Sequence, residues 1–191
     1  MSKPQIVYIH GGEAFDNFWS GWCSAVINYL KRPFKVPSGR WPDGLEPNLP
    51  EFEVLKLKMP GKYNAKYATW KNYFEAQFET LNDEVVLLGW SLGANFLAKY
   101  LSENEFPKRV KAVHLVAGCY GCPGGFELNK KFPAKLSTNV YLYHSKDDFV
   151  VDFNDFERYK AKLPKAKTHV FEDRNHFLQP EFVELMDQIK K

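Results

Sequence analysis

The sequence predicts an α/β fold in which a mostly parallel sheet of about six strands carries helices on both faces. Short apolar runs rich in β-branched residues alternate along the chain with longer stretches of helical spacing, a pattern typical of βαβ units. The run VVLL at Val85–Leu88 is continuously apolar, as expected of a parallel strand buried on both faces. The 191 residues are 45% hydrophobic and 26% charged, which suits a single domain spanning residues 1–191.

The elements follow one another in a regular order. Strands are predicted at Ile6–Ile9, Phe52–Leu57, Val85–Leu88, Val110–Val116, Val140–Tyr143 and His169–Phe171. Helices are predicted at Phe18–Leu30, Tyr67–Leu81, Leu92–Leu101, Phe153–Leu163 and Phe182–Ile189. Arg32–Pro50 holds five of the twelve prolines, and we expect an ordered or semi-ordered surface excursion there. Cys119–Pro133, with its CYGCPGG, is irregular and follows the fourth predicted strand.

Bulk properties exclude several function classes. The net charge is +3 and no run of five basic residues occurs, so nucleic-acid binding is not indicated. No window approaches the ~18 apolar residues of a membrane helix, and the first apolar stretch is too short for a signal peptide. We therefore expect a soluble cytoplasmic protein without a membrane partner. Three cysteines argue against a disulfide framework.

The sequence GWSLG around Ser91 matches G-x-S-x-G and lies between a buried-type strand and a helix, as in a nucleophile elbow. A serine there must adopt a strained backbone to project its hydroxyl above the sheet, and side chains at Gly89 and Gly93 would collide with each other and with the neighbouring strand. The alternative is a serine that merely caps the helix.

A serine nucleophile needs a base and an orienting acid, and after such an elbow they follow in the order acid, then histidine. Among the histidines that follow Ser91, only His176 lies in a loop, between the last strand and the last helix. Asp147 and Asp148 both follow the strand NVYLYHS, at the sheet edge where catalytic groups gather. Their spacing does not decide between them.

Two backbone N–H groups are candidates for an oxyanion hole. That of Leu92 follows the serine and lies at a helix N-terminus, where the dipole favours negative charge. The second should come from the loop after the first strand, from Gly12 or from Glu13, since Gly11 and Gly12 allow a close backbone approach.

These segments resemble the small single-domain serine hydrolases of the α/β-hydrolase superfamily, the family typified by retinoblastoma-binding protein 9. The similarity covers nearly the whole length and includes KMPG, LLGWSLGA, SKDDFVV and NHF. It implies a three-layer α/β-hydrolase fold with a minimal lid, with Ser91 as nucleophile, His176 as base and the second aspartate of the pair, Asp148, as acid. Trp90 and Phe149 depart from the family, which usually has histidine and proline there.

Other features are expected to support this site. Trp90, Tyr120, Phe149 and Phe177 are candidates for the wall of an apolar acyl pocket, as is Phe18. Cys119 and Cys122 form a single C-x-x-C without a second ligand pair, so we expect two buried or half-buried thiols and no metal. A Ser–His–Asp site needs no cofactor, and none is assigned.

Two functions follow. The first is a serine hydrolase that cleaves small-molecule esters, thioesters or amides of small acyl groups through an acyl-enzyme. The second is a catalytically weak or inactive protein of the same fold that acts as a protein-binding module. A protein partner is compatible with the sequence, which contains no motif for one. The complete, correctly ordered triad favours the enzyme.

Overall fold

Each predicted strand forms in the structure. A computed structural model describes residues 3–12, 14, 39–136 and 138–191. Within these ranges six strands form one parallel sheet in the order β2-β1-β3-β4-β5-β6. Their bounds are β1 Gln5–Ile9, β2 Glu53–Leu57, β3 Glu84–Trp90, β4 Arg109–Val116, β5 Val140–Ser145 and β6 Lys167–Phe171. The sheet confirms the predicted α/β class.

The central strand β3 is almost continuously apolar because both faces of the sheet are covered. Alternate side chains point to opposite faces, so Val7 and Leu87 join one core cluster, whereas Tyr8 and Leu88 join the other. The first cluster is the larger. Burial on both faces favours apolar side chains in the central strands, although the polar side chains of Gln5 and His114 are buried there as well.

Helices pack on both faces, as predicted. The described helices are α1 Leu45–Asn48, α2 Tyr67–Glu75, α3 Leu92–Glu103, α4 Phe153–Lys162 and α5 Val183–Ile189. Buried residues of α2, α3 and α4 belong to the first cluster, and those of α1 and α5 to the second. The result is a three-layer α/β arrangement in which α3 follows β3 after a single residue, Ser91.

The proline-rich segment differs from its prediction as a surface excursion. From residue 39 onward, where it is described, a 3-10 turn at Trp41–Gly44 leads directly into α1. Trp41, Leu45 and Leu49 are at most 1% exposed and belong to the second cluster. Their spacing of four residues places them on one side of a helical turn, so this part of the segment is core.

Two other helix predictions have different outcomes. The helix predicted at Phe18–Leu30 lies outside the described residues. The one predicted at Tyr67–Leu81 ends at Glu75, and a 3-10 turn at Phe78–Thr80 then leads to the buried Leu81. Among the described helices, none is both long and apolar enough to cross a membrane.

Candidate active site

Ser91 lies on the sharp turn between β3 and α3. Its backbone has φ 56° and ψ −119°, a conformation that non-glycine residues rarely adopt and that persists only where the surroundings enforce it. Its N–H donates to the carbonyl of Val116 at the end of β4, at 2.8 Å. The next residue of that strand end, Ala117, donates its N–H to Tyr143 in β5 at 2.9 Å. These bonds fix the turn to its neighbouring strands.

The glycines on either side of Ser91 are required by space, as the motif predicts. A Cβ at Gly89 would lie 2.6 Å from the backbone of Gly93, and a Cβ at Gly93 would lie 2.1 Å from the carbonyl oxygen of Ile9. Both distances are far below van der Waals contact with a backbone that cannot move. β1, β3 and α3 therefore approach one another closely only because these positions lack side chains.

His176 lies in the loop after β6 and reaches Ser91. Its Nε2 is 2.9 Å from the Ser91 hydroxyl. Both flanking residues, Asn175 and Phe177, have positive φ angles, 50° and 54°, a sharply constrained course for a phenylalanine. The indole N–H of Trp90 donates to the carbonyl of His176 at 3.1 Å, and the two rings lie 5.8 Å apart. Trp90, the residue before Ser91, therefore helps to fix the position of His176.

Asp148 completes a continuous hydrogen-bonded chain. Its Oδ2 lies 2.8 Å from Nδ1 of His176, and its side chain is fully buried. Its Oδ1 accepts the backbone N–H groups of Val150 and Val151 at 2.8 and 2.9 Å. Since a carboxylate can only accept, Nδ1 carries the hydrogen in neutral His176 and Nε2 is left to accept from Ser91.

Asp147, the other member of the pair, takes a different position. Its Oδ1 accepts from the Ser145 hydroxyl at 2.5 Å and from the N–H of Asn175 at 2.8 Å. The Ser145 oxygen in turn accepts the N–H of Arg174 at 2.9 Å. Asp147 therefore braces the loop of His176 without touching the imidazole. No local pattern in the sequence predicts this bracing role beyond the two neighbouring carboxylates.

A second histidine lies beside the acid. His144 is buried, and its Nε2 donates to the carbonyl of Val151 at 3.0 Å. Burial lowers the pKa of His144, and the nearby Asp148 carboxylate opposes this only in part. The closest approach of His144 Nε2 to Asp148 Oδ2 is 3.8 Å, beyond a hydrogen bond. His144 is therefore a neutral neighbour, which leaves the charge of Asp148 to His176.

The loop after β1 borders the serine at the residues expected to line an oxyanion hole. A Cβ at Gly11 would lie 3.1 Å from Cβ of Ser91, and one at Gly12 would lie 3.3 Å from the Leu92 side chain and 2.6 Å from the carbonyl of Lys62. Leu92 is the first residue of α3, where the N–H has no partner within the helix. Glu13, the alternative donor, lies outside the described residues.

The four aromatic pocket candidates do not lie in equivalent places. Trp90 and Phe177 are 6% and 1% exposed and belong to the second core cluster, so Phe177 has almost no surface to offer a substrate. Tyr120 and Phe149 are half-buried. The Tyr120 ring packs edge-on against Tyr159 at 5.1 Å. Phe18 lies outside the described residues.

The cysteine prediction is wrong in its chemistry. Cys119 and Cys122 form a disulfide, with their Cα atoms 5.6 Å apart, rather than two free thiols. The turn after β4 brings the two Cα atoms to the separation at which disulfides form. Among the described residues, one group of three side chains is close enough to share a metal ion, and it consists of these two cysteines and Asp155. The two sulfurs of this group are bonded to each other in the disulfide.

The chain is similar to known proteins in both sequence and structure. Residues 37–181 match the family model described as "Serine hydrolase". The chain is 23% identical to the serine hydrolase RBBP9 of Rattus norvegicus, over 94% of this chain and 89% of that protein. The ydeN gene product of B. subtilis has a similar structure, with a TM-score of 0.68, 18% identity and coverage of 98% and 97%. Naproxen esterase from Bacillus subtilis aligns with a TM-score of 0.65 and 12% identity, over 99% and 83%.

Proposed function

Because this chain belongs to the serine hydrolase family, we propose that it hydrolyses carboxylic esters of small acyl groups with Ser91 as nucleophile, His176 as base and Asp148 as acid. The observation that carries the proposal is the unbroken chain of hydrogen bonds from the Ser91 hydroxyl through the imidazole to the buried carboxylate. A nucleophile, a base and an orienting acid within hydrogen-bond reach form the arrangement that activates serine.

In the first half of the reaction His176 Nε2 removes the proton from Ser91 as the oxygen attacks the ester carbonyl. The imidazolium that forms is stabilised by Asp148, which holds Nδ1–H at 2.8 Å. Asp148 keeps its acceptor geometry because two backbone N–H groups occupy its other oxygen. His176 then gives its proton to the departing alcohol, which leaves an acyl group on Ser91.

The developing negative charge on the substrate oxygen is met by the N–H groups of Leu92 and Gly12. Leu92 supports this role because its N–H belongs to the free N-terminal turn of α3, where the helix dipole also favours an anion. Gly12 supports it because the backbone there passes close to the Leu92 side chain. Donors that are fixed before reaction stabilise the transition state without reorganisation.

In the second half a water molecule takes the place of the alcohol and His176 acts again as base, releasing the acid and restoring Ser91. Tyr120 and Phe149 form the apolar wall against the acyl group in this proposal, since both retain exposed surface. Trp90 and Phe177 act behind His176 instead. Thioesters and amides share the same carbonyl chemistry and are compared directly with esters in the test below.

Labelling with a fluorophosphonate probe tests the nucleophile. We expect the wild-type protein to be labelled at Ser91 and Ser91→Ala to remain unlabelled. Ser102→Ala is the matched control, because Ser102 lies in the same helix, is buried and has an unpartnered hydroxyl among the described residues. It should label as the wild type does. Folded wild-type protein without a label at Ser91 would refute the hydrolase mechanism and leave the protein-binding module as the better account.

Hydrolysis of p-nitrophenyl acetate, butyrate and octanoate then measures acyl length, with an acyl thioester and an acyl anilide as comparison substrates. We expect kcat/KM to be highest for the short esters. Ser91→Ala should lower kcat by roughly 10⁴-fold or more, because members of such a triad act as a unit. A preference for octanoate over acetate would contradict the small-acyl assignment while leaving the nucleophile in place.

A further inference from the structure

A disulfide between Cys119 and Cys122 lies in the loop after β4 and is not part of the hydrogen-bonded chain of Ser91. This disulfide has one inner and one outer sulfur. Cys119 is 3% exposed. Cys122 is half-buried and lies between the exposed residues Gly121 and Pro123. Cys122 therefore retains surface that a reagent in solution can reach, whereas Cys119 is shielded by the fold.

A buried carboxylate faces this pair. Asp155, in the first turn of α4, is 6% exposed, and one of its carboxylate oxygens lies within 4.8 Å of both sulfurs. Its Oδ1 is 3.3 Å from Arg158, whereas Oδ2 has no hydrogen-bond partner among the described residues. A buried acceptor without a partner is rare in proteins and requires an explanation. Proton exchange between this carboxylate and the adjacent sulfurs would explain why Oδ2 has no partner.

Two further contacts favour reactive thiolates in the reduced form. The backbone N–H of Cys122 donates to the Cys119 sulfur at 2.9 Å, and such a bond stabilises the charged form of its acceptor. The Arg158 guanidinium lies beside Gly121, the residue before Cys122, since a Cβ at Gly121 would lie 2.8 Å from it. A nearby cation also favours a thiolate.

We infer that Cys119, Cys122 and Asp155 form a thiol–disulfide exchange site for small-molecule thiols and disulfides. Cys122 is the sulfur that exchanges with the external molecule. Cys119 is the sulfur that closes or opens the internal bond. Asp155 accepts the Cys119 proton during closure. This activity is independent of ester hydrolysis and uses none of its reacting groups.

A small-molecule disulfide oxidises the two cysteines in two exchange steps. The Cys122 thiolate attacks one sulfur of a small-molecule disulfide, forming a mixed disulfide and releasing one thiolate. Asp155 takes the proton of the Cys119 thiol, and the resulting thiolate attacks the Cys122 sulfur. The internal disulfide forms, the second small thiolate leaves, and it receives a proton from Asp155. In sum the Cys122 thiolate and the Cys119 thiol are oxidised to the internal disulfide, and one small-molecule disulfide is reduced to one thiolate and one thiol.

The roles of the sulfurs are tested with oxidised glutathione. Cys23 is replaced by serine in every protein, so that only the pair reacts, and each protein is reduced first. Cys119→Ser should form a mixed disulfide on Cys122, as located by mass spectrometry. Cys122→Ser, which retains only the shielded sulfur, should react at least about tenfold more slowly. Equal rates, or faster reaction at Cys119, would overturn the assignment.

The role of Asp155 is tested by the closure step. The wild type should pass to the internal disulfide with little mixed disulfide, whereas Asp155→Asn should accumulate the mixed disulfide and close at least about tenfold more slowly, as expected when a general base is removed. Glu157→Gln, a change on an exposed residue of the same helix, is the control and should close like the wild type. Circular dichroism verifies folding. Closure of folded Asp155→Asn at the wild-type rate would refute the role of the carboxylate.

Discussion

At the scale of single residues, two adjacent aspartates contribute to the position of His176 in different ways. Asp148 bonds the imidazole itself, whereas Asp147 bonds the backbone N–H of Asn175 and the Ser145 hydroxyl. In the proposed mechanism the first interaction stabilises the charge that appears on the imidazole during the reaction. The second only restricts where the histidine lies. The proposed mechanism therefore assigns the two carboxylates effects of very different size.

Replacing each aspartate with alanine should separate these roles. We expect Asp148→Ala to lower kcat by about 10⁴-fold, because the imidazole loses its orienting acceptor. Asp147→Ala should lower kcat by only about tenfold with KM unchanged, because a loosened base spends less time in reach of Ser91. Steady-state hydrolysis of p-nitrophenyl acetate measures both. Equal losses from the two variants would show that the acid had been assigned to the wrong carboxylate or to neither alone.

At the scale of elements, one face of the sheet carries an unusual stack of rings. His114 of β4 lies against Tyr141 of β5, with centroids 4.6 Å apart, and its Nδ1 is 2.9 Å from the Tyr143 hydroxyl. Tyr143 in turn stacks on His169 of β6 at 4.7 Å. Burial, with smaller contributions from His169 and Lys111, lowers the pKa of His114 to about 3. The folded sheet therefore holds this histidine neutral.

This histidine should make stability depend on acid pH. Between about pH 6.5 and 3 the unfolded chain binds a proton at His114 that the folded chain does not, so stability falls as the pH falls through this window. The loss is at most about 1.4 kcal/mol for each pH unit. Urea unfolding from pH 7 to 4 should show a shallower loss in His114→Gln than in the wild type. The difference in slope is the test, since the variant also changes baseline stability. Parallel pH profiles would contradict the assigned pKa.

Several elements were predictable because local pattern and tertiary environment agree. The strand β3 is an uninterrupted apolar run buried on both faces, and its bounds differ from the prediction by no more than two residues. The segment around Trp41 was mispredicted because its prolines suggested a loop, although the spacing of Trp41, Leu45 and Leu49 carried the signal of a buried face.

The candidate active site likewise has features that could be predicted from the sequence and features that could not. The order of serine, acid and histidine could be read from the chain, because each residue follows a strand in a parallel sheet. The division of roles between Asp147 and Asp148 depends on the course of the loop at Asn175, which no local pattern specifies. The disulfide depends on how the turn at Cys119 closes, and the spacing alone is equally compatible with thiols.

At the scale of the whole molecule, the groups that the proposed mechanism uses follow strands at the centre and at the edge of the sheet. Ser91 follows β3, which lies between β1 and β4. His176 follows β6, which among the described strands pairs only with β5 and has exposed or half-buried side chains. Edge elements with few buried contacts open at lower free energy than central ones. The proposed base, His176, therefore depends on the least protected part of the described sheet.

We expect ester hydrolysis to be lost before the fold is lost. In a urea titration the midpoint for activity should lie below the midpoint for far-ultraviolet circular dichroism by on the order of 0.5 M. Hydrogen exchange provides the structural control, since amides of β6 should exchange faster than those of β3 at the lower midpoint. Coincident midpoints, with equal protection of both strands, would show that the edge unfolds together with the centre.

The end of β4 has a consequence for how such proteins diverge. It supplies no reacting side chain, yet the carbonyl of Val116 holds Ser91 and the N–H of Ala117 holds β5. Every amino acid carries the same backbone carbonyl. The identity of residue 116 therefore does not reveal that its carbonyl accepts the hydrogen bond of Ser91. Two descendants of one ancestor could differ there and retain the same geometry. A comparison that looks only at shared side chains would find Ser91, Asp148 and His176. It would miss the backbone at the end of β4 that keeps them aligned.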